Sequence, residues 1–229
     1  MMDITMTATV RPNIVAQTLD SFCKNLFKDT SNFRLIINID PVGERDKTQV
    51  DVLNVAKNFF THMVYNFPLK PSFPKAVMWC WHQVNPDTDF FFHLEDDWII
   101  LRETRIDHMV KIMEKHPHLA ALRLNKFSSH PTAKDNERCY FYDAKLSLNP
   151  SLMRVSFVKG VLPLMTEKEN PEKQLRKGPT ERGQFVAKWN FGVYLGSGSS
   201  ALVQDIGRPW LERSPFQRQT GFLVWQKKV

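Results

Sequence analysis

Three carboxylates in a row, Glu95-Asp96-Asp97, close an aromatic stretch that begins Asp89-Phe90-Phe91-Phe92-His93-Leu94. Ionised side by side they repel one another, so they are costly unless water or a cation compensates. Hard divalent cations take oxygen ligands, and a carboxylate cluster at a strand end suits one. The alternative is an exposed acidic turn capping the next helix, and residue types alone do not separate the two. The run from Phe90 to Leu94 is short, aromatic and free of Gly and Pro, which predicts an interior strand. In an open α/β sheet, ligands bind at the carboxyl ends of the strands.

The elements that must position this cluster lie mostly upstream. Ile4 to Val10 alternates β-branched with small or polar residues and reads as a strand stopping at Arg11-Pro12. Pro12 opens a helix, where its missing N–H costs nothing, and Val15, Leu19, Phe22 and Leu26 carry the helical spacing to about Lys28. Phe33 to Asp40 is a second strand, Thr48 to Phe60 a second helix, His62 to Phe67 a third strand and Pro74 to Val84 a third helix. This β-α-β-α-β-α-β order predicts an α/β fold, a mainly parallel sheet with helices on both faces. Thr9, Arg11 and Asp40 then end strands on the same edge as Glu95, Asp96 and Asp97.

Past residue 100 the chain offers a helix from Glu103 to Lys115, a strand from Leu119 to Leu124 and a polar, turn-rich stretch over 125–138. The β-like segment 146–154 is interrupted by Asn149-Pro150. In the charged stretch 165–178, Asn170 can cap and Pro171 open a short helix. No repeat and no linker appears. The expectation is a single domain over 1–229 with two functional halves, 1–100 and 101–229.

Composition narrows the class. The formal net charge of +7 on 229 residues favours an anionic partner, a nucleotide or a nucleic acid. Cys23, Cys80 and Cys139 are scattered and form no zinc spacing, so a reducing, cytoplasmic setting is expected. No apolar run approaches the roughly 20 residues of a spanning helix, so no membrane is expected. Neither a Gly-x-Gly-x-x-Gly after the first strand nor a P-loop is present, which disfavours dinucleotide and P-loop sites.

The order of these motifs resembles the GT-A (Rossmann-like) fold of nucleotide-sugar-dependent glycosyltransferases, particularly the inverting family-2-like group. The resemblance covers most of the chain. Thr7-Ala8-Thr9-Val10-Arg11-Pro12 looks like the family's first strand and turn beside the nucleotide, which implicates Thr9 and Arg11. Asp40 sits where the family reads uracil or ribose. Glu95-Asp96-Asp97 looks like the DxD element, implying Asp97 as ligand to Mn²⁺ or Mg²⁺ and Glu95 and Asp96 at the nucleotide-sugar. Glu169 and Glu172 occupy the neighbourhood of the family's general base. Val203-Gln204-Asp205-Ile206-Gly207 resembles the stretch with the family's later metal ligand, with Asp205 in place of its usual His. Lys75, Arg176, Lys177, Arg182 and Arg208 are the basic groups near enough in order to contact phosphate.

What the resemblance implies is metal-dependent, inverting transfer of a sugar from a nucleotide diphosphate to an acceptor hydroxyl, with UDP-sugar as the expected donor. For the acceptor, the charge favours duplex DNA, as in phage enzymes that glycosylate 5-hydroxymethylpyrimidines. Polysaccharide or small-molecule acceptors stay open, as does a non-catalytic nucleic-acid or carbohydrate-binding module. A nucleotidyltransferase would show a Gly-rich, basic loop after the first strand, and none is here.

Overall fold

The first strand, β1 (Met2–Val10), holds the middle of an eight-stranded sheet, with β2 (Phe33–Gly43) parallel on one side and β4 (Phe90–Glu95) parallel on the other. The computed structural model describes residues 1–127, 139–142, 146–196, 200–213, 216–218 and 225–227. Among these the strand order is β3-β2-β1-β4-β8-β6-β9-β7, with β3 (Met63–Asn66), β6 (Leu119–Leu124), β7 (Cys139–Tyr142), β8 (Ser151–Arg154) and β9 (Asn190–Tyr194). β8 and β7 run against the other six. The first four strands therefore have the expected parallel order. The antiparallel insertion of β8 between β4 and β6 was not expected, because a Ser-Leu-Met-Arg strand alternates alike in either direction.

Helices cover both faces. Ile4, Met6, Ala8 and Val10 point to one side and pack with Leu35, Ile37, Phe92 and Leu94 beneath α1 (Pro12–Phe22), α2 (Gln49–Lys57) and α4 (Ile106–Lys115). Phe92, fully buried, meets Phe22 at 6.0 Å and Phe27 at 5.4 Å between ring centres. Truncating such a side chain to Ala costs about 3–5 kcal/mol. The other face carries Ile36, Phe91, Ala121, Met153 and Phe191 beneath α3 (Phe73–His82), α5 (Val155–Val161) and α7 (Glu181–Ala187).

Local sequence explains the boundaries. Thr48 and Asp51 form a reciprocal capping box at α2. Asn170 accepts from the N–H groups of Glu172 and Lys173, so the expected short helix forms as α6 (Pro171–Gln174). The first helix stops at Phe22 rather than Lys28; Cys23–Phe27 continues as a π-turn.

On the second face, Thr7, Thr9, Asn38, Asp40 and Glu95 follow at two-residue spacing towards the carboxyl ends, so an apolar floor becomes polar there. A two-stranded ribbon, β5 (Trp98–Ile100) with β10 (Val203–Asp205), then returns the late chain to that edge, followed by α8 (Gly207–Arg213). Residues 216–218 and 225–227 pair as an antiparallel ribbon, β11 and β12. No described helix is long and apolar enough to cross a membrane.

Candidate functional site

The chain itself supplies a cation to the carboxylate cluster. Arg11, 2% exposed, bonds Asp96 Oδ1 through Nη2 and reaches Asp96 Oδ2 through Nε at 3.3 Å. The same Nη2 meets Asp97 Oδ2 at 3.2 Å. Asp96 Oδ2 also accepts from the Thr9 N–H at 2.9 Å and the Thr9 hydroxyl at 3.3 Å. The guanidinium lies 4.9 Å from the ring centre of Trp210 on α8. Burial pushes the Asp96 carboxyl upward and the charge of Arg11 opposes it. Arg11, Thr9 and Asp96 thus bind one another, and Asp96 spends its oxygens inside the protein. These contacts brace the ends of β1 and β4, and all three residues also line the recess between them.

Asp97 is placed differently. Beyond the contact of its Oδ2 with Arg11, its Oδ1 has no hydrogen-bond partner among the described residues. Asp205 arrives opposite Trp98 in the ribbon, accepts from Gly207 N at 2.8 Å through Oδ1, and has Arg208 Nε 3.6 Å from Oδ2. Gly207 also touches Asp97, since a Cβ there would stand 2.1 Å from Asp97 Oδ2. Asp97 and Asp205 therefore share Gly207 as a neighbour. Among the described residues no three His, Cys, Asp or Glu side chains gather to cage a metal. Mg²⁺-type ions are commonly held by one or two carboxylates with substrate phosphates supplying the rest, so Asp97 Oδ1 and Asp205 fit that donor set.

Asp40 joins this cluster to a second hollow. Thr7, Thr9, Arg11, Asp40, Glu95, Asp96 and Asp97 line one recess, and Asp40 also borders a cavity of about 330 Å³ with Asn38, Asn66, Ser72, Lys75 and Trp79. Asn66 donates to Asn38 at 2.7 Å, Asn38 donates to Asp40 Oδ1 at 2.9 Å, and Ser72 N donates to Asp40 Oδ2 at 2.9 Å. Burial raises the Asp40 carboxyl to about 6, against the pull of these donors. Because the folded value lies above the unfolded one, its contribution to stability is intact below about pH 4 and is lost as pH rises through about pH 6. Asp40→Asn cannot ionise, so it should gain stability relative to the wild type between about pH 4 and pH 7. Urea midpoints of both proteins at the two ends of that window check this; parallel curves would show that Asp40 titrates as in water.

The remaining candidates separate. Glu172 is partly buried, with Oε1 accepting from Leu148 N at 2.9 Å and Ser147 Oγ at 3.1 Å. Glu169 is turned to Arg182, 3.0 Å away, and its side chain is 54% exposed. Lys75 meets Glu167 at 3.0 Å across the mouth of the Asp40 cavity. Glu95 accepts from Trp98 Nε1 at 3.2 Å. His93 is a core residue: Nδ1 lies 2.9 Å from Thr5 Oγ1, and burial pushes it down to about 3. Lys134, Arg138, His130 and residues 197–199 lie outside the described residues, as do the tail side chains from 214 on. Sequence reasoning gave no role of their own to Asn38, Asn66 and Gly207. The first was legible in principle, standing two residues before Asp40 on the same face.

No protein-family model matches the chain, and no curated protein does. Solved structures match in fold. S. aureus TarS 1–349 aligns with a TM-score of 0.55 at 13% identity, over 86% of this chain and 59% of that one. The same protein in complex with UDP gives 0.53 at 13%, and in complex with UDP-GlcNAc 0.53 at 12%. This chain therefore spans less than two thirds of the length of these TarS structures. The likeness is one of fold, a GT-A-like α/β domain with a mostly parallel sheet between helices.

Proposed function

We propose that the protein is a glycosyltransferase that moves a sugar from a UDP-sugar to an acceptor hydroxyl with inversion. One observation carries the reading. In a fold like that of a protein crystallised with UDP-GlcNAc, Thr7, Asp40, Glu95 and Asp97 line one recess at the ends of β1, β2 and β4. Residues 1–100 form the donor side and 101–229 the acceptor side.

Asp40, fixed by Asn38 and Ser72, keeps lone pairs for a donor on the nucleotide. Asp97 and Asp205 would hold Mn²⁺ or Mg²⁺, which supplies Lewis-acid stabilisation of a departing diphosphate. Glu172 is the base. Two donors fix its Oε1, and its Oε2 has no hydrogen-bond partner among the described residues. It takes the proton of the acceptor hydroxyl as that oxygen bonds the anomeric carbon, and the bond from that carbon to the phosphate oxygen breaks. Glu172→Gln should lower kcat roughly 10²–10⁴-fold with KM for the donor little changed. Glu169→Gln should stay close to wild type. Equal losses in both would refute this choice of base.

For the acceptor, the support is the net charge of +7. Binding of duplex DNA rests largely on Lys and Arg contacts to phosphate. A hydroxymethylated base flipped from the duplex would present the attacking hydroxyl. The deciding experiment gives the purified protein a panel of UDP-sugars with Mn²⁺ and follows UDP release. Release that depends on hydroxymethylated DNA supports the whole reading. Release with an oligosaccharide alone overturns the DNA acceptor, and no UDP-sugar binding overturns the transferase.

A further inference from the structure

Lys126 follows β6 at the carboxyl edge of the sheet and is half-buried. Its Nζ sits 5.9 Å from the ring centre of Trp98 and 5.3 Å from that of Phe127. It makes no hydrogen bond or ion pair among the described residues. The Trp98 ring is itself fixed, by the bond from Nε1 to Glu95 Oε2 and by the pairing of Trp98 with Asp205. Desolvation lowers Lys126 and repulsion from Arg123 adds to this, while Glu172, Asp205 and Glu95 pull the other way. The ammonium therefore stands among the carboxylates of both halves of the site without pairing with any.

A half-buried ammonium whose donors meet no hydrogen-bond or ion-pair partner among the described residues is poorly compensated by two aromatic rings. An anion entering between the lysine and the carboxylates would supply such a partner. Resting on the reading above, we infer that Lys126 is a further catalytic residue, whose ammonium binds the diphosphate of the donor and neutralises the charge released with the leaving group. In the transfer step the acceptor oxygen forms its bond to the anomeric carbon. The electron pair of the broken bond goes to the phosphate oxygen, and the acceptor proton goes to Glu172. Lys126 stays protonated throughout, donating to the diphosphate oxygens more strongly as their charge grows.

The test uses the full-length chain and two probes, UDP and uridine, by calorimetry, together with UDP-sugar turnover. Lys126→Met keeps the apolar stem over Trp98, and Lys126→Arg keeps the charge. The expected result is that Lys126→Met weakens UDP about 10-fold or more, leaves uridine unchanged and lowers kcat about 100-fold, with Lys126→Arg recovering part of both. Unchanged uridine affinity also reports that the nucleoside pocket remains folded. If Lys126→Met binds UDP as the wild type does, the inference is overturned and the transferase reading stands. If the wild type binds neither probe, the donor reading itself fails.

Discussion

Arg11→Met should cost roughly 3–5 kcal/mol of stability, as expected for breaking a buried ion pair from one side. Arg11 and Asp96 are 2% and 4% exposed, so water cannot replace the guanidinium. The variant would leave Asp96 buried beside Asp97, with only Thr9 to hydrogen-bond its side chain. Loss of the contact with Trp210 adds about 0.5–1 kcal/mol at most. Without Arg11 the Asp96 carboxyl rises further, because the charge of Arg11 is the main effect opposing burial and the repulsion from Asp97, and only the hydrogen bond from Thr9 N–H remains against them. A group raised in the folded state stabilises below its unfolded value and loses that contribution as pH rises through the folded value. The deficit of Arg11→Met should therefore be widest near about pH 8 and narrow towards about pH 4. Adding Asp96→Asn removes the stranded charge while keeping an acceptor for Thr9 N–H, and should recover about half of the loss. Urea denaturation of the wild type, both singles and the double gives the cycle. A deficit under about 1 kcal/mol, flat with pH, would mean that the guanidinium is not what makes the cluster affordable.

How far the sequence could be read follows from the range of the interactions. The period-two and period-3.6 patterns of residues 4–95 depend on neighbours in the chain, and the parallel order β3-β2-β1-β4 follows from them. Thr9, Arg11, Asp40 and Glu95 to Asp97 were legible as strand ends for the same reason. The contacts among them were not. Arg11 reaches Asp96 across a separation of 85 residues, and nothing local in Arg11-Pro12 indicates a side chain turned inward. The sequence posed the right question about three adjacent carboxylates and looked to solvent for the cation that Arg11 provides. Glu169 and Glu172 are alike in sequence, and only the approach of Leu148 and Arg182 separates them. β8 eluded prediction because its direction is set by its partners β4 and β6, not by its own alternation.

Asp97→Asn should abolish sugar transfer, a loss of at least about 100-fold in kcat, while leaving the fold and its stability nearly intact. The contrast with Arg11 follows from the geometry. Asp97 shares one oxygen with Arg11 at 3.2 Å, whereas Asp96 takes the principal bonds, so an amide at Asp97 strands no buried charge. What the amide removes is the negative charge beside Asp205, the pair that the proposed Mn²⁺ or Mg²⁺ requires. A second route to the same defect leaves Asp97 chemically unchanged. Gly207→Ala places a Cβ 2.1 Å from Asp97 Oδ2, too close to tolerate, so the carboxylate or the start of α8 must move. Catalytic positioning is sensitive to shifts of about 1 Å, so Gly207→Ala should also lose roughly 100-fold in kcat. The two variants differ in their response to metal. Raising Mn²⁺ should recover part of the activity of Gly207→Ala, whose ligand charges remain, and little of that of Asp97→Asn. Steady-state rates over a Mn²⁺ titration separate them, with circular dichroism as the control for folding. Full activity in Asp97→Asn would remove the carboxylate from the reaction and, with it, the reason to place a metal between Asp97 and Asp205.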